Sequence, residues 1–85
     1  MTIRITGSKD GDSSNILVEG RLDATNVTDL ETECLSAGTP LRIDISSLLS
    51  ADEDGLRVLR SLAQTGAELS GASPYMRELL FRENL

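Results

Sequence analysis

The chain of 85 residues has no histidine, no tryptophan, one cysteine, two prolines and only two aromatic residues, Tyr75 and Phe81. Each scarcity removes a class of function. Without histidine there is no ordinary general base near neutral pH, and Cys34 has no imidazole to activate it, so an enzyme is not expected. A single cysteine forms no internal disulfide, which fits a reducing compartment. Two aromatics make no base-stacking platform, and the basic residues are scattered singly through a chain of net charge −6. Nucleic acid and anionic membrane are therefore both disfavoured as partners. No apolar run approaches the roughly 20 residues of a membrane span, and the N-terminus lacks the basic-then-apolar pattern of a signal peptide. A cytoplasmic location is the expectation. The seven glycines stand singly at element ends, so no phosphate loop or dinucleotide fingerprint is present and no cofactor is expected.

What is present is an ordinary globular composition, 39% hydrophobic and 26% charged, consistent with one domain spanning residues 1–85. At this length the core is small, burying roughly 60 to 65% of the unfolded chain's surface. Thr2 to Thr6 alternates apolar and polar residues and predicts a half-buried edge strand. Gly7 to Ser14 gathers turn residues around Asp10-Gly11 and predicts a hairpin loop. Asn15 to Gly20, with Ile16, Leu17 and Val18 in a row, predicts a strand buried on both faces and ended by Gly20. A helix follows on Val27, Leu30 and Cys34, with Leu35 and Ala37 widening its apolar stripe. Thr25 and Asn26 are alternative caps for it, Thr28 with Glu31 has capping-box spacing, and Gly38 with Thr39-Pro40 stops it. Asp23, Asp29, Glu31 and Glu33 leave its outer side acidic.

Leu41 to Ile45 alternates again and most economically pairs parallel with an earlier strand. Leu56, Leu59, Leu62 and Ala63 mark a second helix ended by Gly66, and Ala67 to Ala72 is a short strand. Ser73-Pro74 caps a third helix carrying Tyr75, Met76, Leu79 and Leu80. The order β, β, α, β, α, β, α indicates an α/β fold: a four-stranded, mostly parallel sheet opened by an antiparallel hairpin, with about three helices packed on it.

The stretch LRIDISSLLSADEDG, Leu41 to Gly55, runs from a strand into a helix N-terminus, where backbone N–H groups and the helix dipole favour anions. Here the position holds carboxylates. Asp52, Glu53 and Asp54 are expected to form a fixed negative cluster, with Ser50 or Asp52 as the cap and Ser50 and Glu53 at capping-box spacing. Metal ligation by Asp52 and Asp54 is a minor alternative.

Three separated motifs then resemble one family. The G-x-L-D turn within Glu19 to Ala24, the strand-loop-acid-x-x-G helix start, and the segment GAELSGASP before the last helix are similar to the STAS domain of bacterial anti-sigma factor antagonists. The resemblance implies a STAS-like fold in a short variant, and a protein partner of the anti-sigma kinase type or another signalling protein. In that family the motif reads D-S-S-G and its first serine is phosphorylated. Asp52, Glu53, Asp54 and Gly55 occupy those four positions, so Glu53 stands at the phosphosite and carries no hydroxyl. The resemblance thus implies partner binding around Ser46 to Arg60, through Ser50, Asp52, Glu53, Asp54 and Gly55, framed by Arg57 and Arg60. Glutamate brings about one negative charge against the roughly 1.5 to 2 of phosphoserine, so its mimicry is partial and constitutive. Two alternatives stand beside this: a small-ligand, anion or metal sensor at the same helix N-terminus, and a self-associating subunit, a homodimer paired through an edge strand.

Overall fold

The hairpin forms with a two-residue loop. Strand β1 (Ile3–Asp10) pairs antiparallel with β2 (Ser13–Leu22), Asp10 opposite Ser13, and Gly11 turns the chain at φ 64°. In the computed structural model residues 3–38 and 40–81 are described, so Thr2 of the first expected strand and Thr39 of the first helix stop lie outside the described residues. Ser8, Lys9, Asp10 and Ser13, expected in a loop, instead extend the ladder. A tight turn makes backbone pairing available to every residue up to it, and that pairing overrides the weak strand propensity of serine and aspartate.

Gly20 does not end the second strand either. The chain passes it at φ 100° and continues to Leu22. Along β2, Ser14, Ile16, Val18 and Leu22 are buried whereas Asn15, Leu17 and Glu19 are half-buried. The strand is therefore covered on one face rather than both. Ser14 is accommodated because its hydroxyl donates to the Ala37 carbonyl at 2.7 Å, which satisfies a polar group 2% exposed.

The remaining elements are α1 (Val27–Ala37), β3 (Leu41–Asp44), β4 (Leu48–Ala51), α2 (Glu53–Gln64), β5 (Glu68–Ser70) and α3 (Pro74–Phe81). The sheet order is β1-β2-β3-β5, and β4 pairs with β2 beyond the end of β3. All pairings except β1 with β2 are parallel. The α/β architecture is as expected, with a fifth strand where a loop was expected. The reason is local. Between Gly20 and Arg21 the β2–β4 register shifts, so that Gly20 faces Leu48 and Arg21 faces Ser50, leaving Leu49 as the extra residue of a bulge. A bulge breaks period-two alternation and hides a strand from pattern reading.

One apolar cluster joins the covered face of the sheet to the helices. Ile16, Val18, Ile43 and Ile45 meet Leu30 of α1, Leu59 of α2 and Leu80 of α3. On the other face Arg4, Thr6, Arg42 and Glu68 are exposed, and Arg42 pairs with Glu68 at 3.5 Å. Two expected core residues are outside the core: Leu35 is 85% exposed and Tyr75 68%. Each lies next to a residue that does bury, Cys34 and Met76, and the apolar stripe is narrower than the run of hydrophobic letters.

Candidate functional site

The C-terminal ends of the parallel strands gather three turns, and short polar side chains hold each of them. After β2, Asn26 accepts from the Asp23 N–H at 2.8 Å and donates to the Arg21 carbonyl at 2.9 Å. Asn26 is 7% exposed and is thus a buried brace of this turn, and it makes no side-chain cap to α1. Asp23 accepts from the Thr25 hydroxyl at 2.6 Å and the Thr25 N–H at 3.0 Å. Those two bonds hold the Asp23 carboxyl below its ordinary range. After β3, Asp44 accepts from the Ser46 hydroxyl at 2.7 Å and the Ser46 N–H at 2.9 Å, which likewise lowers its pKa. Gly71 presses on this turn: a Cβ there would lie 2.7 Å from the Ser46 Cβ.

The third turn is the acidic helix start, and its three acids do not act as one cluster. Asp52 is the N-cap of α2, accepting from the Gly55 N–H at 2.9 Å with one carboxylate oxygen. Its other oxygen accepts from the Ala24 N–H at 3.2 Å, and its own N–H donates to the Leu22 carbonyl at 3.0 Å. One residue therefore ties the helix start to the turn after β2. Asp54 pairs with Arg57 at 2.6 Å, one helical turn on. Glu53 is exposed and has no hydrogen-bond or ion-pair partner among the described residues. The expected fixed triad resolves into a cap, an ion pair and one free carboxylate.

Gly55 is buried, and a Cβ there would lie 2.7 Å from the Leu22 carbonyl oxygen and 3.1 Å from the Leu22 Cγ. Glycine is required because the first turn of α2 rests on the backbone of β2. Ser50 is not a cap: it lies in β4 opposite Arg21, and no capping box with Glu53 forms. Arg60 corrects another expectation. Its guanidinium donates to the carbonyls of Leu80 at 2.9 Å and Leu79 at 3.1 Å, so it braces the end of α3 instead of framing the loop. Arg57 stays beside the acids.

One surface residue escaped the motif reading. Leu49 is 74% exposed on the β4 bulge, on the strand that leads into Asp52 and Glu53. The doublet Leu48-Leu49 was the available signal, since only one of two adjacent leucines in an extended segment faces the core. A helix N-terminus already occupied by its own carboxylate is poorly suited to a second anion, and among the described residues no three His, Cys, Asp or Glu side chains gather as a metal site. Likewise, no helix among them is long and apolar enough to cross a membrane.

None of the protein-family models matches the sequence, and no curated protein does. Solved structures do match. The unphosphorylated form of the anti-sigma factor antagonist SpoIIAA superposes with a TM-score of 0.69 over 92% of this chain and 80% of that one, at 17% identity. The chain has a STAS-like fold. The STAS domain of an anti-sigma factor antagonist from Rhodobacter sphaeroides gives 0.60 over 87% of this chain and 95% of that one, at 26% identity. A third structure, of Mglu, gives 0.67 over 81% of this chain but only 20% of its own length, at 14% identity. The STAS-like fold thus occurs both as nearly a whole chain and as a segment of a longer one. Among the described residues of this chain its mixed sheet has five strands, with an antiparallel hairpin and three helices.

Proposed function

We propose that this domain is a non-catalytic regulatory module that binds a protein through residues 46–55 and the first turn of α2. The partner is a kinase-type anti-sigma factor or a related signalling protein of the bacterial cytoplasm. The observation that carries this is the pair Glu53 and Leu49: an exposed carboxylate with no partner among the described residues and an exposed leucine, one following and one preceding the Asp52 cap in the chain. The leucine supplies apolar contact area and the carboxylate supplies charge complementarity, which governs partner choice and association rate more than affinity. Glu53 stands where the D-S-S-G motif of antagonists carries its phosphorylated serine, so its charge is constitutive. Control then passes to the supply of partner, since Glu53 has no hydroxyl for a serine kinase to phosphorylate.

The test uses purified kinase-type anti-sigma factors with ATP. Wild type binds one of them and takes up no phosphate, Glu53→Ser becomes a phosphate acceptor, and Leu49→Ser weakens binding at least about tenfold. Phosphate recovered on Ser50 of the wild type, or binding unchanged in both variants, would overturn the proposal.

A further inference from the structure

Among the described residues, strand β1 is the longest free edge of the sheet. It spans Ile3–Asp10, pairs only with β2, and runs without proline or register shift. The outward-facing N–H and C=O groups of such a strand are a template for another strand. Its charged residues are Arg4, Lys9 and Asp10, none with an ion-pair partner among the described residues. Arg4 and Asp10 lie on the open face of the sheet, because they share the parity of Thr6, whose partner in β2 is Leu17. Lys9 shares the parity of Ile3 and Ile5, which pack against the core.

We infer that two copies of this chain join by antiparallel pairing of their β1 edges about a two-fold axis at Gly7, forming one continuous sheet. Symmetry limits the choices severely. An axis perpendicular to the sheet keeps each side chain on its own face, so it must pass through a residue that faces its own copy. Centred on Thr6, the pairing sets Arg4 against Ser8. Centred on Ser8, it sets Asp10 against Thr6 and leaves Arg4 without a strand residue opposite. Centred on Lys9, it opposes two lysines. Only the axis at Gly7 sets Arg4 against Asp10 of the other copy, and symmetry makes that pair twice.

The same register suits the helix-side face. Lys9 then lies opposite Ile5 of the second copy. Ile3 and Ile5 line a cleft of about 330 Å³ with Asp29, Thr32 and Glu33 of α1. Lys9, which on a lone edge would discourage pairing, thereby enters a cleft rimmed by two carboxylates. Those carboxylates would otherwise repel across the axis. All three charges of the strand are matched in one register, and this rests on β1 and α1 alone, independent of residues 46–55.

Sedimentation equilibrium across the micromolar to millimolar range tests the pairing. Wild type dimerises. Arg4→Asp and Asp10→Arg, both at exposed positions, each weaken the dimer by about tenfold or more, because two attractive pairs become repulsive. The double exchange Arg4→Asp with Asp10→Arg restores the wild-type constant. Amide exchange of residues 3–10 slows as concentration rises. A wild type that stays monomeric at millimolar concentration overturns the inference. So does a dimer indifferent to the single reversals, one that the double exchange fails to restore, or one whose concentration-dependent protection falls on another element.

Discussion

The two ends of the sheet are built differently. At the C-terminal ends of the parallel strands, Asp23, Asn26, Asp44 and Asp52 each bond to backbone, and Gly55 and Gly71 let segments approach to within a Cβ's width. At the opposite end, α1 and α2 leave an open groove of about 570 Å³ lined by Thr28, Cys34, Leu35, Leu41, Leu62 and Ala67. Among the described residues no hydrogen bond joins the two helices across it. The first end has its geometry set by directional bonds, so little ordering would remain to oppose binding of the proposed partner there. The second is held by packing, which tolerates change in shape.

That contrast is broken most severely at Gly55. Gly55→Ala places a Cβ against the Leu22 carbonyl and side chain, and overpacking of this kind is expected to cost about 2 to 3 kcal/mol in urea unfolding. In a domain of this length that is a large share of the roughly 4 to 13 kcal/mol available. Asp52→Ala removes the cap and the link to Ala24, with an expected loss of about 1 to 2 kcal/mol. Asp52→Asn keeps the acceptor and recovers most of it. If the alanine and asparagine variants unfold alike, the brace contributes nothing and the two ends are energetically equivalent.

Much of this architecture was legible because it follows from short-range chemistry. Ile43 and Ile45 alternate with Arg42 and Asp44, Leu56 and Leu59 recur at helical spacing, and the Ser73 hydroxyl accepts from the Met76 N–H at 3.1 Å as a serine before proline predicts. What stayed hidden depends on partners distant in sequence. Strand β4 exists because the second half of β2 extends past Gly20 and needs a neighbour, and the bulge at Leu49 masks its alternation. Composition showed three consecutive acids, but their separation into a cap, an ion pair and a free carboxylate depends on Ala24 and Arg57. Arg60 looked like a surface charge until α3 returned its carbonyls to it.

The two ends should also respond to opposite ends of the pH scale. Asp23 and Asp44 have carboxyls held below the ordinary value of 3.8 by their Thr25 and Ser46 bonds. A depressed carboxyl stabilises the fold above its unfolded pKa, and that contribution is lost as pH falls through the lower folded value. Acid unfolding below about pH 4 is therefore expected to be shallower in Asp44→Asn than in wild type. In the groove, burial first and then Glu33 and Glu31 push the Cys34 thiol up to about 11 from 9.0. A raised pKa stabilises below the unfolded value and the gain disappears as pH rises through the folded one, so stability falls between 9.0 and about 11. Cys34→Ala should flatten that alkaline limb and leave the acid limb unchanged.

The smallest expected effect on stability separates display from structure. Leu35 and Leu49 are both large, exposed and apolar, 85% and 74% exposed, one beside the groove and one on the braced rim. Replacing either by serine is expected to change unfolding free energy by less than about 0.5 kcal/mol, because neither side chain is buried. Their functions should differ. Only Leu49 sits on a strand whose continuation is held by Asp52, so its position relative to Glu53 is preset. In a titration with a kinase-type partner, Leu49→Ser should lose affinity while Leu35→Ser retains it. The reverse result would move the partner to the α1–α2 groove and make the polar end a structural brace alone.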